Sequence, residues 1–232
     1  MTTLLLVRHG LTDANKGGLL AGWTEGVHLV ERGREQAAAL AARLAPVPLA
    51  AVVSSPLERC QETAQALGAD RDLTIETDDR LGECHYGDWT GQELKKLVKE
   101  PMWRVVQAHP SAARFPGGES IRDTQLRAVD AVRAHNARLG ADATWVAVSH
   151  GDVIKAVLAD ALGMHLDMFQ RIQVDPCSVS VVRYTELRPF VVRMNDTGGA
   201  VDDLIPPKRR RRARKQSSDA VVGGGAGADS PA

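Results

Sequence analysis

"LLLVRHGLTDAN", residues 4–15, runs four apolar residues straight into a cation and an imidazole. A run this short fits a strand buried on both faces better than a helix. Such a strand usually exits through a bland turn, yet Arg8, His9, Gly10, Thr12, Asp13 and Asn15 crowd this exit. The pattern recurs in "TWVAVSHG" (144–151), an apolar run ending in His150 and Gly151. A third buried run, "AAVVSS" (50–55), is followed by Pro56, which suits the first turn of a helix reaching about Leu67 and carrying Arg59.

Between these runs the period changes. "ERGREQAAALAARL" (31–44) is Ala-rich with Leu40 and Leu44 one turn apart, which predicts a helix. "LTIET" (73–77) alternates like a strand, Leu81 to Gly91 reads as a loop, and a polar helical stretch follows. "PSAARFPGGES" (110–120) breaks the pattern. Ile121, Ala128, Val132 and Leu139 share one face of a long helix. Val153, Ile154, Val157, Leu158, Ala161 and Leu162 make a second helical stripe, and "SVSVVRYT" with "FVVRM" predicts a late hairpin. Strands alternating with helices predict an α/β fold, a three-layer α/β/α sandwich with a mostly parallel central sheet. There is no internal repeat.

The 232 residues suffice for one substantial core, or at most two small ones. An apolar fraction of 44% and a charged fraction of 25% are those of a soluble globular protein. The formal net charge of zero hides an asymmetry. "KRRRRARK" (208–215) holds seven of the 29 basic residues, and residues 204–232 hold two of the 29 acids, Asp219 and Asp229. Residues 1–203 therefore carry 22 basic and 27 acidic groups, a mildly acidic domain with a basic tail at 204–232. The tail's composition predicts disorder, and seven cations in eight residues would bind polyanions without sequence preference. Cys60, Cys84 and Cys177 are too scattered for a disulfide framework or a zinc site. No segment approaches the roughly 18 apolar residues of a membrane span, and the first residues lack signal-peptide character, so a cytoplasmic protein is expected. Homodimerisation is left open.

In parallel α/β sheets, ligands bind outside the carboxyl ends of the strands. Three strand ends would therefore present Arg8, His9, Arg59 and His150 to one crevice. Two arginines and two histidines around one pocket make an anion site, suited above all to a phosphoryl group, because guanidinium donors match phosphate oxygens and stay charged. On this reading Gly10 and Gly151 let the backbone approach the anion. One Arg-His-Gly is a weak signal, since a lone histidine at a strand end is usually structural; two strand-His-Gly units with a spaced arginine are a strong one.

These segments, together with "LVERGREQA" (29–37), "SSPLERCQETA" (54–64), "LGECHYGDWTGQ" (81–92) and "PGGES" (116–120), resemble the histidine phosphatase superfamily, also called phosphoglycerate mutase-like, over roughly residues 3–195. The resemblance implies that His9 is the nucleophile and becomes phosphohistidine. Arg8, Arg59 and a protonated His150 would bind the phosphoryl oxygens, Asn15, Ala21 and Gly22 would line the pocket, and Glu83 would give its proton to the leaving group. The implied activity is metal-independent hydrolysis of a small phosphomonoester. No metal or other cofactor is needed where arginines neutralise the charge.

Two positions depart from the family pattern. Leu11 stands where an acid or Gln is usual and is expected to shape the pocket rim; Val30 replaces the usual Ser or Thr cap of the following helix. Tyr86 and Trp89 either line the entrance or pack the loop. Glu119 is expected to brace the next helix, and Asp152 to sit in a helix N-terminus rather than pair with His150. His28, His85, His109, His135 and His165 lack metal spacing and read as surface or loop residues. A mutase using the same phosphohistidine is the alternative activity. It would need a tight basic cluster to clamp a carboxylated substrate, which Lys95, Lys96, Lys99, Arg104 and Arg114 do not form in sequence. A non-catalytic phosphate-ester binding protein is a weaker alternative, because the whole catalytic set is present.

Overall fold

The computed structural model describes residues 1–69, 71, 73–198 and 223. Its single six-stranded sheet contains β1 (Thr2–Arg8), β2 (Ala51–Ser54), β3 (Ile75–Thr77), β4 (Thr144–Ser149), β5 (Val179–Tyr184) and β6 (Pro189–Asp196), in the order β3-β2-β4-β1-β5-β6. The first four of that order run parallel, and the hairpin β5–β6 adds the antiparallel edge. The sheet is therefore mixed, with its parallel half carrying the three predicted strand ends.

The helices are α1 (Asp13–Lys16), α2 (Glu31–Leu44), α3 (Glu58–Gly68), α4 (Leu94–Leu97), α5 (Trp103–Ala108), α6 (Ile121–Leu139) and α7 (Gly151–Ala161). Because strand side chains alternate between faces, β1 splits its apolar run between two cores. Leu5 and Val7 pack with Ala37 and Leu40 of α2 and Ala64 and Leu67 of α3. Leu4 and Leu6 pack with Ala128 and Val132 of α6 and Ile154, Val157 and Leu158 of α7. Strand β4 does the same, with Val146 and Val148 on the first side and Trp145 and Ala147 on the second. Helices on both faces give the three layers, and a strand covered on both faces reads as an unbroken apolar run.

Element ends differ in instructive ways. The helix after β2 begins at Glu58, not Pro56, because Leu57 is still extended and its N–H donates to the Ser55 hydroxyl. Helix α7 begins at Gly151, directly after His150, ahead of the apolar stripe. Val30 caps α2 with no side-chain bond, whereas Ser120 and Asp123 close a full capping box on α6. The hairpin forms as expected.

The loop leaving β1 crosses α2 backbone against backbone. A Cβ on Gly10 would stand 2.6 Å from the Gly33 carbonyl oxygen, and one on Gly33 would stand 2.2 Å from the Leu11 carbonyl oxygen. Gly10 is thus required by packing on α2. The same crossing buries Leu11, whose N–H donates to Gln36 Oε1. The basic run 208–215 lies outside the described residues, as does the rest of the 204–232 segment apart from Gly223. No helix among the described residues is long and apolar enough to cross a membrane.

Gly33→Ala forces this crossing apart. It is expected to cost about 1–3 kcal/mol of stability, read as a fall in Tm of roughly 2–4 °C for each kcal/mol in a chain of this size. An unchanged Tm would contradict the crossing.

Candidate active site

The parallel register pairs Val7 with Val148 and Arg8 with Ser149, and His9 N–H donates to the Ser149 carbonyl. The residues that follow, His9 and His150, therefore leave the sheet side by side, with ring centroids 5.3 Å apart. Both rings are almost completely buried. Arg59 in the first turn of α3 comes to the same place from β2, and its side chain is buried as well.

His9 holds its ring by one bond to its own chain: Nδ1–H donates to the Gly10 carbonyl at 2.8 Å. That bond fixes the tautomer and leaves the Nε2 lone pair bare. Burial pushes the ring's pKa well below the usual imidazole value, and the charges of Arg59 and Arg8 push it further down, against the Gly10 bond. A neutral imidazole with an uncommitted Nε2 is the nucleophilic form.

Arg59 spends Nη2 on the Gly22 carbonyl at 2.8 Å and on His150 Nδ1 at 3.2 Å. Its Nη1 is buried and has no hydrogen-bond partner among the described residues. A buried guanidinium nitrogen without an acceptor costs free energy that an anion's oxygen would recover. His150 accepts that Arg59 bond at Nδ1, so its Nε2–H donates to Ser55 Oγ at 2.8 Å. Burial and then Arg59 depress its pKa well below the usual value. Without an anion, burial first and the Arg59 charge second favour the neutral ring; the protonated His150 implied by the resemblance concerns the site with a phosphoryl group bound.

Glu83 lies in the loop after a short turn at Asp79–Leu81, with its carboxyl buried and Oε2 4.0 Å from His150 Nδ1. Its pKa is pushed up to about 7, first by burial and then by the buried Asp152 carboxylate; the Cys84 N–H, Arg59 and Arg8 pull it back. A carboxyl poised near neutrality can give a proton and then take one.

The cleft between these groups encloses about 310 Å³ including its open mouth. His9, Asn15, Ala21, Gly22, Arg59 and Glu83 line it, joined by Thr12, Leu19, Leu20, Tyr86 and Gly223. Asn15 Oδ1 accepts from the Thr12 N–H and hydroxyl, which leaves its amide NH2 as the end able to donate. Arg8, Gly10, His150 and Gly151 stand behind this lining. Arg8 is fully buried and donates from Nη1 to the Val174 carbonyl, and its charge is felt at His9. Leu11 is buried where its backbone meets α2 and is not part of the cleft lining, which includes Leu19 and Leu20. No three-residue cluster able to hold a metal occurs among the described residues.

Neighbouring residues resolve as follows. Tyr86 lines the cleft and donates its hydroxyl to Asp152 Oδ2, while Trp89 packs edge-on to Phe115 in the core. Asp152 sits in the first turn of α7 and makes no bond to His150. It also accepts from the Gly223 N–H at 2.9 Å, which brings one residue of the C-terminal segment to the cleft. His135 is not a surface residue: α6 buries it, and Nε2 bonds Asp78 Oδ2 at 2.8 Å. His85 stacks on Trp23 at 4.3 Å between centroids.

Three comparisons place this geometry. The profile of the histidine phosphatase superfamily (branch 1) matches residues 4–197. Phosphoserine phosphatase 1 of Hydrogenobacter thermophilus is 32% identical over 200 residues, covering 85% of this chain and 93% of the relative. The 2,3-bisphosphoglycerate-dependent phosphoglycerate mutase 2 of Gloeobacter violaceus is 31% identical over 183 residues, 76% and 83% of the two chains. Among solved structures, YhfR of Bacillus stearothermophilus superposes with a TM-score of 0.79 at 32% identity, over 84% of this chain and 98% of that one.

Long-range proton–nitrogen spectra are expected to show His9 protonated at Nδ1 alone, and His150 neutral, down to about pH 6, where a free imidazole with a pKa near 6.5 is mostly charged. The unfolded chain binds protons at these two histidines first, so stability falls as the pH drops below about 6.5. Either ring titrating at the ordinary value would contradict the site described.

Proposed function

The chain belongs to the histidine phosphatase superfamily, and we propose that it hydrolyses a small phosphomonoester through a phosphohistidine on His9. The observation that carries this reading is the pairing of a bare His9 Nε2 with the partnerless Arg59 Nη1 on one cleft that Glu83 also lines. In the first transfer the Nε2 lone pair attacks phosphorus. The bond from phosphorus to the ester oxygen breaks, and the Glu83 carboxyl gives that oxygen its proton. In the second, the Glu83 carboxylate takes a proton from water, and the water oxygen attacks phosphorus. The phosphorus–nitrogen bond then breaks, its electron pair returns to Nε2, and inorganic phosphate leaves.

Each transfer spreads charge over the three equatorial oxygens. Arg59 supplies charge-assisted donors there, Asn15 a neutral donor, and Arg8 a positive field from behind His9. An incoming phosphate dianion also favours protonation of His150, which would then add a donor of its own.

Hydrolysis is preferred to phosphoryl transfer between two hydroxyls. Arg59 is the one cation lining the cleft among the described residues, beside which Leu19, Leu20 and Ala21 add apolar surface. A carboxylated phosphoglycerate would need a second cation. On 3-phosphoglycerate, isomerisation outpacing phosphate release would instead make the enzyme a mutase.

The test is a panel of phosphomonoesters run with wild type, His9→Ala and Arg59→Met. His9→Ala is expected to lose on the order of 10³-fold or more in kcat, and Arg59→Met about 10²–10³-fold. With alkyl esters, kcat/KM is expected to fall as pH rises through about 7, where Glu83 loses its proton. Full activity in His9→Ala would overturn the mechanism.

A further inference from the structure

Arg127 lies on α6, outside the cleft lining, and reaches back to the loop that carries Glu83. A guanidinium has five N–H donors in a planar fork. Five acceptors meet this one: Nη1 donates to the carbonyls of Arg80 at 2.7 Å and Gly82 at 2.8 Å, and Nη2 to the carbonyl of Glu83 at 2.9 Å. Nη2 and Nε also donate to the two oxygens of Glu119 at 2.6 and 3.1 Å. Three carbonyls of the catalytic loop, those of residues 80, 82 and 83, thus rest on one side chain.

Glu119 completes the brace from the other side. Its Oε1 accepts the His85 N–H and the Thr124 hydroxyl, each at 2.9 Å, and its own N–H donates to the His85 carbonyl. The loop is therefore held by its carbonyls before Cys84 and by both backbone groups of His85 after it. Two further ties converge on the same residues: Trp23 Nε1–H donates to the Glu83 carbonyl and the Ser149 hydroxyl to the Leu81 carbonyl, each at 2.6 Å. Both partners of the Arg127–Glu119 pair are mostly buried, at 19% and 15% side-chain exposure, so solvent screens it little.

We propose that Arg127, braced by Glu119, is a positioning residue that sets the Glu83 carboxyl for proton transfer to the leaving-group oxygen. It acts through backbone carbonyls and touches no substrate. A misplacement of about 1 Å in a catalytic group can cost on the order of 10²-fold, and this loop carries its acid on a backbone with no helix or strand to hold it. Lysine keeps the charge at this position but has three donors on a point charge, so it cannot fill the fork. The proposal rests on Glu83 being the proton donor.

The experiment measures single-turnover release of the leaving group from two esters, an alkyl phosphate and 2,4-dinitrophenyl phosphate, whose phenolate leaves without a proton. Full-length wild type, Arg127→Lys, Glu119→Gln and Glu83→Gln are compared, each first shown to be folded by thermal melting. The alkyl-to-dinitrophenyl rate ratio is expected to fall by about 10–100-fold in Arg127→Lys, to fall in the same direction in Glu119→Gln, and to fall furthest in Glu83→Gln. A general weakening of the fold would lower both rates and leave the ratio unchanged, which would overturn the proposal. A ratio that falls in Glu83→Gln but not in either brace variant would overturn the positioning role and leave the acid in place. A ratio unmoved in Glu83→Gln would overturn the reading of Glu83 as well. Should Arg127→Lys not fold, Glu119→Gln carries the test with the same outcomes.

Discussion

The parallel pairing of Leu6 with Ala147, Val7 with Val148 and Arg8 with Ser149 determines where both histidines emerge. Side chains alternate along a strand, so a slip of one residue would turn one ring to the opposite face of the sheet. The slip is prevented by packing: Leu5 and Val7 must face α2 and α3 while Leu4 and Leu6 face α6 and α7. Two hydrophobic cores thus fix a register, and the register fixes a 5.3 Å separation between two imidazoles. Burying these rings would be unfavourable if they were charged, and the same burial keeps them neutral. The nucleophile's protonation state is in this sense a consequence of sheet packing.

Charge in the site follows a division of labour set by solvation. Arg59 is the cation lining the cleft, and its field adds to the burial that favours neutral His9 and His150. Glu83 is shielded from water and faces a second carboxylate, Asp152, so its proton is held to about pH 7. Asp152 in turn is tied down by the Tyr86 hydroxyl and by Lys155 at 3.5 Å. A nucleophile kept unprotonated and an acid kept protonated at the same pH is the arrangement acid-assisted phosphoryl transfer requires.

Much of this was legible in the sequence because it is local. An apolar run followed by His-Gly marks two of the strand ends, and these converge with the Arg59-bearing end of β2 through the topology of an alternating α/β pattern. Glu83 is marked only by the family resemblance, since nothing in its immediate spacing separates it from a surface glutamate such as Glu58. The rest depends on contacts between distant segments. Nothing near Gly10 in sequence announces that Gly33 presses against it, or that the Leu11 N–H bonds Gln36 of α2. His135 occupies a helix position that would suit the surface, but Asp78 meets it there across 57 residues. Arg127 carries no signal at all in sequence, because the carbonyls it holds belong to every residue type.

The central claim is that the phosphoryl group passes through His9 Nε2. Rapid acid-free quenching of enzyme mixed with a radiolabelled phosphomonoester, followed by peptide mapping under alkaline conditions, tests it directly. The account predicts transient, acid-labile label on the peptide containing His9, absent from His9→Ala. Label on another residue, or turnover with no labelled enzyme at any time, would contradict it.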